Sequence, residues 1–219
     1  MLKILIVSLM LSHTISVSAQ AVSDEPEHFL RVPVSGLVAF TPEKIPETEA
    51  LIRSKLLDDP HSPRIGSPHP ALTLVCFTDY NAKDCKTLDE KLHQLLKLHP
   101  NLALVYKLVP PVHQPDNPSR MALTLWEKQP EKFPALHREM MRFKGVLDDF
   151  AVRSALRQAG GQIYHLSPDA SHTIAVNVAL MKTLHITDMP ATLIGDHILP
   201  GDVQFDELES AVIASLKGA

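Results

Sequence analysis

Cysteine is scarce in this chain: there are two in 219 residues, Cys76 and Cys85. That number excludes a small scaffold stapled by several disulfides, so a packed core must supply the stability. Aromatic residues are also few, at 5% with a single tryptophan, although 45% of residues are hydrophobic. Such a chain is long enough for one compact domain plus an extension or an inserted subdomain. No block of Lys or Arg occurs and the formal charge is −4, which leaves no electrostatic footprint for nucleic acid or an anionic membrane. There is no glycine-rich phosphate loop, no G-x-S-x-G, no H-E-x-x-H and no paired Cys-x-x-Cys. Nucleotide chemistry, serine hydrolysis and a ready-made metal or cofactor site thus have no support.

What is present begins with an export signal. Lys3, the apolar run from Ile4 to Leu11 and the small-residue exit Ala19-Gln20-Ala21 have the layout of a cleaved leader over residues 1–21. The run falls far short of the roughly 20 residues a membrane helix needs. No later segment reads as a span, so the expectation is a mature protein with no membrane contact, starting near Gln20 to Val22, in an oxidising compartment.

Residues 22–70 read as an N-terminal extension and linker. A helix is predicted near Pro46 to Leu57, because Pro46 and the nearby acids suit a first turn. Pro60, Pro63, Gly66, Pro68 and Pro70 then mark Asp58 to Pro70 as a linker. The main domain, 71–219, opens with a buried strand over Ala71 to Thr78. A helix with Leu88, Leu92, Leu95 and Leu96 on one face and a strand over Asn101 to Val109 follow, which makes a right-handed parallel crossover. After a break at Pro110 to Pro115, three or four short helices are predicted as an insertion over about 115–184, the last started by Ser167-Pro168. A hairpin turning at Gly195-Asp196 and a helix from about Gln204 to Leu216 close the chain. Trp126, Met140, Met141 and Phe143 read as core of the insertion, and the acid pairs Asp58-Asp59 and Asp148-Asp149 read as caps.

The chemically suggestive stretch is Asp79-Tyr80-Asn81-Ala82-Lys83-Asp84-Cys85-Lys86. It has the form of a Cys-x-x-Cys motif at a helix start with Ala82 in place of the first sulfur. Strand alternation puts Leu74, Cys76 and Thr78 on one face and Val75 and Phe77 on the other.

Strand, motif at a helix start, helical insertion and a hairpin preceded by proline resemble the thioredoxin-like fold of DsbA-like proteins, an α/β class. "DDPHSPRIGSPHPALTLVCFTDYNAKDCK" and "ITDMPATLIGDHILPGDVQFDEL" are similar to the active-site and closing segments of its ScsC (suppressor of copper sensitivity) and Com1-like branch. The resemblance implies that Cys85 is the second, resolving cysteine, that Ala82 replaces the nucleophilic first one, and that Lys83 and Asp84 are the dipeptide that tunes redox potential. It also implies a cis Pro190 facing the site, with Met189 offering backbone hydrogen bonds to extended substrate. Cys76 falls where relatives keep a buried acid.

Exchange starts with attack by an exposed thiolate, and a methyl group cannot form a mixed disulfide. The leading expectation is a periplasmic protein with a degenerate site that binds unfolded or partner polypeptide near Met189, Pro190, Ala82, Lys83 and Asp84. A second reading keeps thiol-disulfide chemistry with a periplasmic redox partner, through Cys85 alone or a Cys76/Cys85 pair. The two thiols either bridge or stay reduced and buried. A third reading is Cu(I) binding by soft Cys85, Met189 and Cys76, with His113, His185 and His197 as conceivable neighbours. Relatives that oligomerise through a helical N-terminal extension imply homo-oligomer assembly through residues 22–57.

Overall fold

The computed structural model describes residues 44–110 and 117–218, with side chains from residue 48 onward. The expected leader 1–21, the extension residues 22–43, and His113 within the proline-rich break lie outside the described residues. Among the described residues no helix is long and apolar enough to cross a membrane.

The strand formers Leu72–Thr78 become β2, the middle strand of a five-stranded mixed sheet. β2 runs parallel to β3 (Leu102–Leu108), and α2 (Lys83–Leu98) makes the crossover between them. On its other side β2 pairs antiparallel with β4 (Ala191–Ile194), which turns into β5 (His197–Pro200). β1 (Arg64–Gly66) pairs antiparallel with β3 and completes the order β1-β3-β2-β4-β5. This is the α/β sheet that the resemblance to thioredoxin-like proteins implies.

β1 lies inside the proline-rich stretch read above as an irregular linker. Three residues suffice there because β3 offers a free edge, and Gly66 (φ +93°) ends the pairing in a conformation that favours glycine. A Cβ on Gly66 would stand 2.5 Å from the Leu102 carbonyl oxygen. α1 (Lys44–Leu57) begins two residues before Pro46, and its Leu56 is buried against the sheet.

The sheet separates two apolar clusters, as the alternation in β2 requires. Leu74 and Cys76 face α2, the helical insertion and α7 (Phe205–Lys217). Val75 and Phe77 face Leu56 of α1 together with Leu180 and Met181 of α6 (Pro168–Thr183). Leu88, Leu92 and Leu95 present one buried face of α2, each contributing roughly 2 kcal/mol by removal from water. The insertion comprises α3 (Asn117–Lys128), a 3₁₀ turn at Pro130–Lys132, α4 (Phe133–Arg142), α5 (Asp149–Gln158) and α6. Asp148 caps α5 by accepting from the Ala151 N–H at 2.8 Å, and Ser167 caps α6 by accepting from the Asp169 N–H at 3.2 Å. Met140 and Met141 are buried in the insertion core, whereas Phe143, at the end of α4, is exposed.

Asp59, read above as a cap, instead supports the sheet. Lys107 of β3 is fully buried, and its Nζ donates to Asp59 Oδ2 at 3.3 Å, to Ser62 Oγ at 2.7 Å and to the Lys55 carbonyl. Burial pulls the Lys107 ammonium down to about 8, against the attraction of Asp59. Burial would raise the Asp59 carboxyl, but Lys107 and three hydrogen bonds outweigh that and hold it below its ordinary value. The pair therefore adds stability between the ordinary carboxyl pKa and about pH 8, where Lys107 loses its proton, and its carboxylate part is lost as pH falls through the lowered value.

Asp59→Asn should cost about 3 kcal/mol at pH 7, because it leaves a buried ammonium without a counter-charge. Folded Lys107 sheds its proton near pH 8, so the deficit should shrink by pH 10; urea unfolding at both pH values measures this, and an equal deficit would contradict the ion pairing. Gly66→Ala should cost about 1–3 kcal/mol by pushing β1 away from the Leu102 carbonyl, read from the same unfolding curves.

Candidate functional site

The turn Asp79 to Ala82 joins the C-terminal end of β2 to α2. Asp79 organises it: its carboxylate Oδ2 accepts from the Asn81 N–H at 3.1 Å, and its carbonyl accepts from the Ala82 N–H at 3.4 Å. A loop from the insertion closes over the turn. Asn81 Oδ1 accepts from the Leu147 N–H at 2.8 Å, and Lys86 Nζ donates to the carbonyls of Phe143 and Gly145 at 2.7 and 3.2 Å. Ala82 is the N-cap of α2 with extended backbone and gives no side-chain cap. Lys83 and Asp84 are exposed in the first turn, where Asp84 suits the positive end of the helix.

Cys85 sits one residue further in and is 1% exposed. The Asp79 N–H donates to its Sγ at 3.4 Å. Burial pushes the Cys85 thiol up, and the carboxylates of Asp79 and Asp84 add to this, against the pull of the Asp79 N–H and the Thr78 hydroxyl. Cys76, 2% exposed on β2, is raised further by burial and then by the charges of Cys85 and Asp89. The two thiols are free. A helix N-terminus ordinarily favours a thiolate; here burial and two carboxylates win.

The Met189–Pro190 peptide is cis. Cys76 stands opposite Thr192 and Phe77 opposite Ala191, so the register continued by one residue sets Pro190 beside Thr78, next to the turn. Pro190 is buried and its carbonyl accepts from the Gly201 N–H at 2.7 Å. Met189 is half-buried at the edge of the α1/α6 cluster. The structure thus gathers Cys85, Cys76, Ala82 and Pro190 around one end of β2, with Lys83 and Asp84 outermost.

The histidines weighed as copper neighbours do not join them as a set. His197 lines a groove of about 490 Å³ with Leu72, Val75 and Leu193, at the opposite end of the sheet, and His185 is exposed beyond α6. Among the described residues no group of three or more His, Cys, Asp or Glu is placed to hold a metal.

The sequence reading missed the buried acid behind the site. Position 76 is a cysteine, and the buried acid of this region is Asp89, one turn after Cys85 on the apolar face of α2, with its charge acting on Cys76. Asp89 Oδ1 accepts from the Tyr106 hydroxyl at 2.9 Å and from His137 Nε2 at 3.0 Å, while His93 Nδ1 lies 3.3 Å from Oδ2. His137 Nδ1 meets the Tyr80 hydroxyl at 2.9 Å. Burial would raise the Asp89 carboxyl, but His137 and His93 more than offset it and hold it well below the usual carboxylate range. A detectable signal existed: Asp89 interrupts an otherwise apolar stripe of Cys85, Leu88, Leu92 and Leu95, as His137 does on α4 between Phe133 and Met140.

No protein-family model and no curated protein matches the chain. Among solved structures, a periplasmic thioredoxin-like protein from Salmonella enterica serovar Typhimurium is 38% identical, with a TM-score of 0.74 over 76% of this chain and 97% of that one. The catalytic domain of Proteus mirabilis ScsC is 35% identical, with a TM-score of 0.74 over 78% and 98% of the two chains. The thiol-disulfide exchange protein α-DsbA2 from Wolbachia pipientis, at 18% identity and a TM-score of 0.67 over 77% and 94%, shares the fold. With that identity over nearly the whole of two such domains, this chain belongs to the ScsC branch of the DsbA-like thioredoxin-fold proteins.

Proposed function

We propose that this chain is a periplasmic ScsC-like protein whose site no longer performs dithiol exchange and instead binds extended polypeptide beside Pro190. One observation carries the reading: the position that attacks in a Cys-x-x-Cys protein is Ala82, and the remaining Cys85 is buried with its thiol held in the protonated form. A thiol that water and substrate do not reach, and that resists ionisation, is a poor nucleophile.

What remains around it suits recognition of a chain. The loop fastened over the turn presents Val146 and then Phe150 of α5, which are 64% and 75% exposed. Phe143 adds a third exposed apolar side chain to the same segment. Apolar groups exposed in this way beside the site turn support a contact surface for polypeptide. The periplasmic assignment follows the Salmonella relative and the leader-like residues 1–21.

Alkylation tests the thiols. Without reductant, two thiols should label in denaturant and none in the native protein; labelling only after reduction would overturn the reading in favour of a Cys76/Cys85 disulfide. A82C should gain disulfide exchange with oxidised glutathione that the parent lacks, and comparable exchange by the parent would refute a disarmed site. For binding, fluorescence anisotropy with a labelled, permanently unfolded cysteine-free polypeptide should show a Kd that rises about tenfold or more in a Val146→Ser/Phe150→Ser variant. Equal affinity in both proteins, or no binding by the parent, would refute the polypeptide surface.

A further inference from the structure

The Asp89 network has one wet end and one dry end. The His93 side chain is 37% exposed, whereas Tyr80, Tyr106 and His137 are buried. The His93 and His137 rings stack with centroids 6.0 Å apart and 18° between planes, and they address different oxygens of the same carboxylate. At the dry end Tyr80 belongs to the site turn itself. Its neighbours are Asp79, whose N–H points at Cys85 Sγ, and Asn81, which holds the Leu147 N–H. His93 Nδ1 also meets the Asp89 carbonyl at 3.1 Å, and a continuous set of ion-paired and hydrogen-bonded groups therefore leads from solvent, across α2 and α4, to the turn beside Cys85.

The groups that face His93 can be named. Asp89 and Lys97 approach from its own helix and His137 from α4. Through Asp89 the set extends to Tyr106 of β3, Tyr80 of the turn and Cys76 of β2. Burial and the nearby carboxylate raise both tyrosines and Cys76 and keep them neutral, so Asp89 is the anion within this set. A buried carboxylate held by neutral donors alone is far costlier than one with a cationic partner.

We propose that Asp89, His93, His137 and Tyr80 form a proton-operated latch, in which a proton taken up at His93 tightens the tie between α4 and the turn beside Cys85, and its loss loosens it. The direction follows from the partner. The hydrogen bond that His93 donates to Asp89 raises His93 above its ordinary value, with burial opposing and the Asp89 charge assisting. A raised folded-state pKa means that the stabilisation is fully present below the unfolded value of about 6.5 and is lost as pH rises through the folded value. The latch is independent of what the site binds, and its state is legible in the chain without any ligand.

Native-state hydrogen exchange tests it at the amides of Asn81, Ala82 and Leu147, whose bonds close the turn, with Leu208 and Val212 in α7 as reference. After correction for the intrinsic pH dependence of exchange, the turn amides of the parent should open about threefold or more at pH 8 relative to pH 6, and the α7 amides should not. In His93→Gln, a change at a partly exposed position, that pH dependence should vanish. The proposal is overturned if His93→Gln keeps the parent's ratio, if the parent shows no ratio, or if α7 opens by the same factor as the turn.

Discussion

A carboxylate can be buried in a protein core only if donors converge on it, and Asp89 is buried at the point where three parts of this chain meet. Its partners come from β3 (Tyr106), α4 (His137) and its own helix (His93). Removing a buried charge from water is costly enough that these donors have to be in place. The packing of the helical insertion against the sheet is thereby given a registration that apolar contact alone does not impose, since apolar contact is non-directional. The rings around His137, among them Phe133 at 5.3 Å and Tyr106 at 4.2 Å between centroids, close water out and raise the value of each hydrogen bond. The second charged link, Lys107 to Asp59, acts in the same way on the opposite face of the sheet, where it fixes the segment after α1.

The site turn is built on this frame. The elements that would prepare a nucleophile are all in place: a helix N-terminus, an N–H aimed at sulfur and a proline beside the end of β2. Yet the sulfur they surround is the inner one, at Cys85, and the outer position is a methyl group at Ala82. Asp79 and Asp84 set negative charge next to the remaining thiol. The electrostatics are thus consistent with the missing sulfur, because nothing in the surroundings favours a thiolate enough to overcome burial. The cis Met189–Pro190 bond and the turn itself do not depend on the missing sulfur and are both present.

Most of the architecture was legible because it rests on local patterns. The β2 apolar run, the leucine stripe of α2, the Ser167-Pro168 start of α6 and the Gly195-Asp196 turn are each set by periodicity or by one residue's backbone preference. β1 was not, because a three-residue strand exists through its partner edge and carries no pattern of its own. Asp59 was misread for a related reason: an acid beside a helix end looks like a cap until a lysine from residue 107 arrives to claim it. Phe143 stood at core spacing, but α4 ends at Arg142 and releases the side chain to the surface.

The sequence by itself determined the fold family, the loss of the first sulfur at Ala82 and the presence of two thiols near one end of β2, because each follows from residue identity at a fixed spacing. Only the tertiary structure decided that Cys85 is sealed and hard to ionise, that Asp89 is a buried acid whose charge bears on Cys76, and that Tyr80, His137 and His93 connect the turn to solvent. Those properties depend on desolvation and on partners 48 and 57 residues apart along the chain, from Asp89 to His137 and from Tyr80 to His137. The energy of a buried charge is set by what surrounds it in space, and no local pattern encodes that.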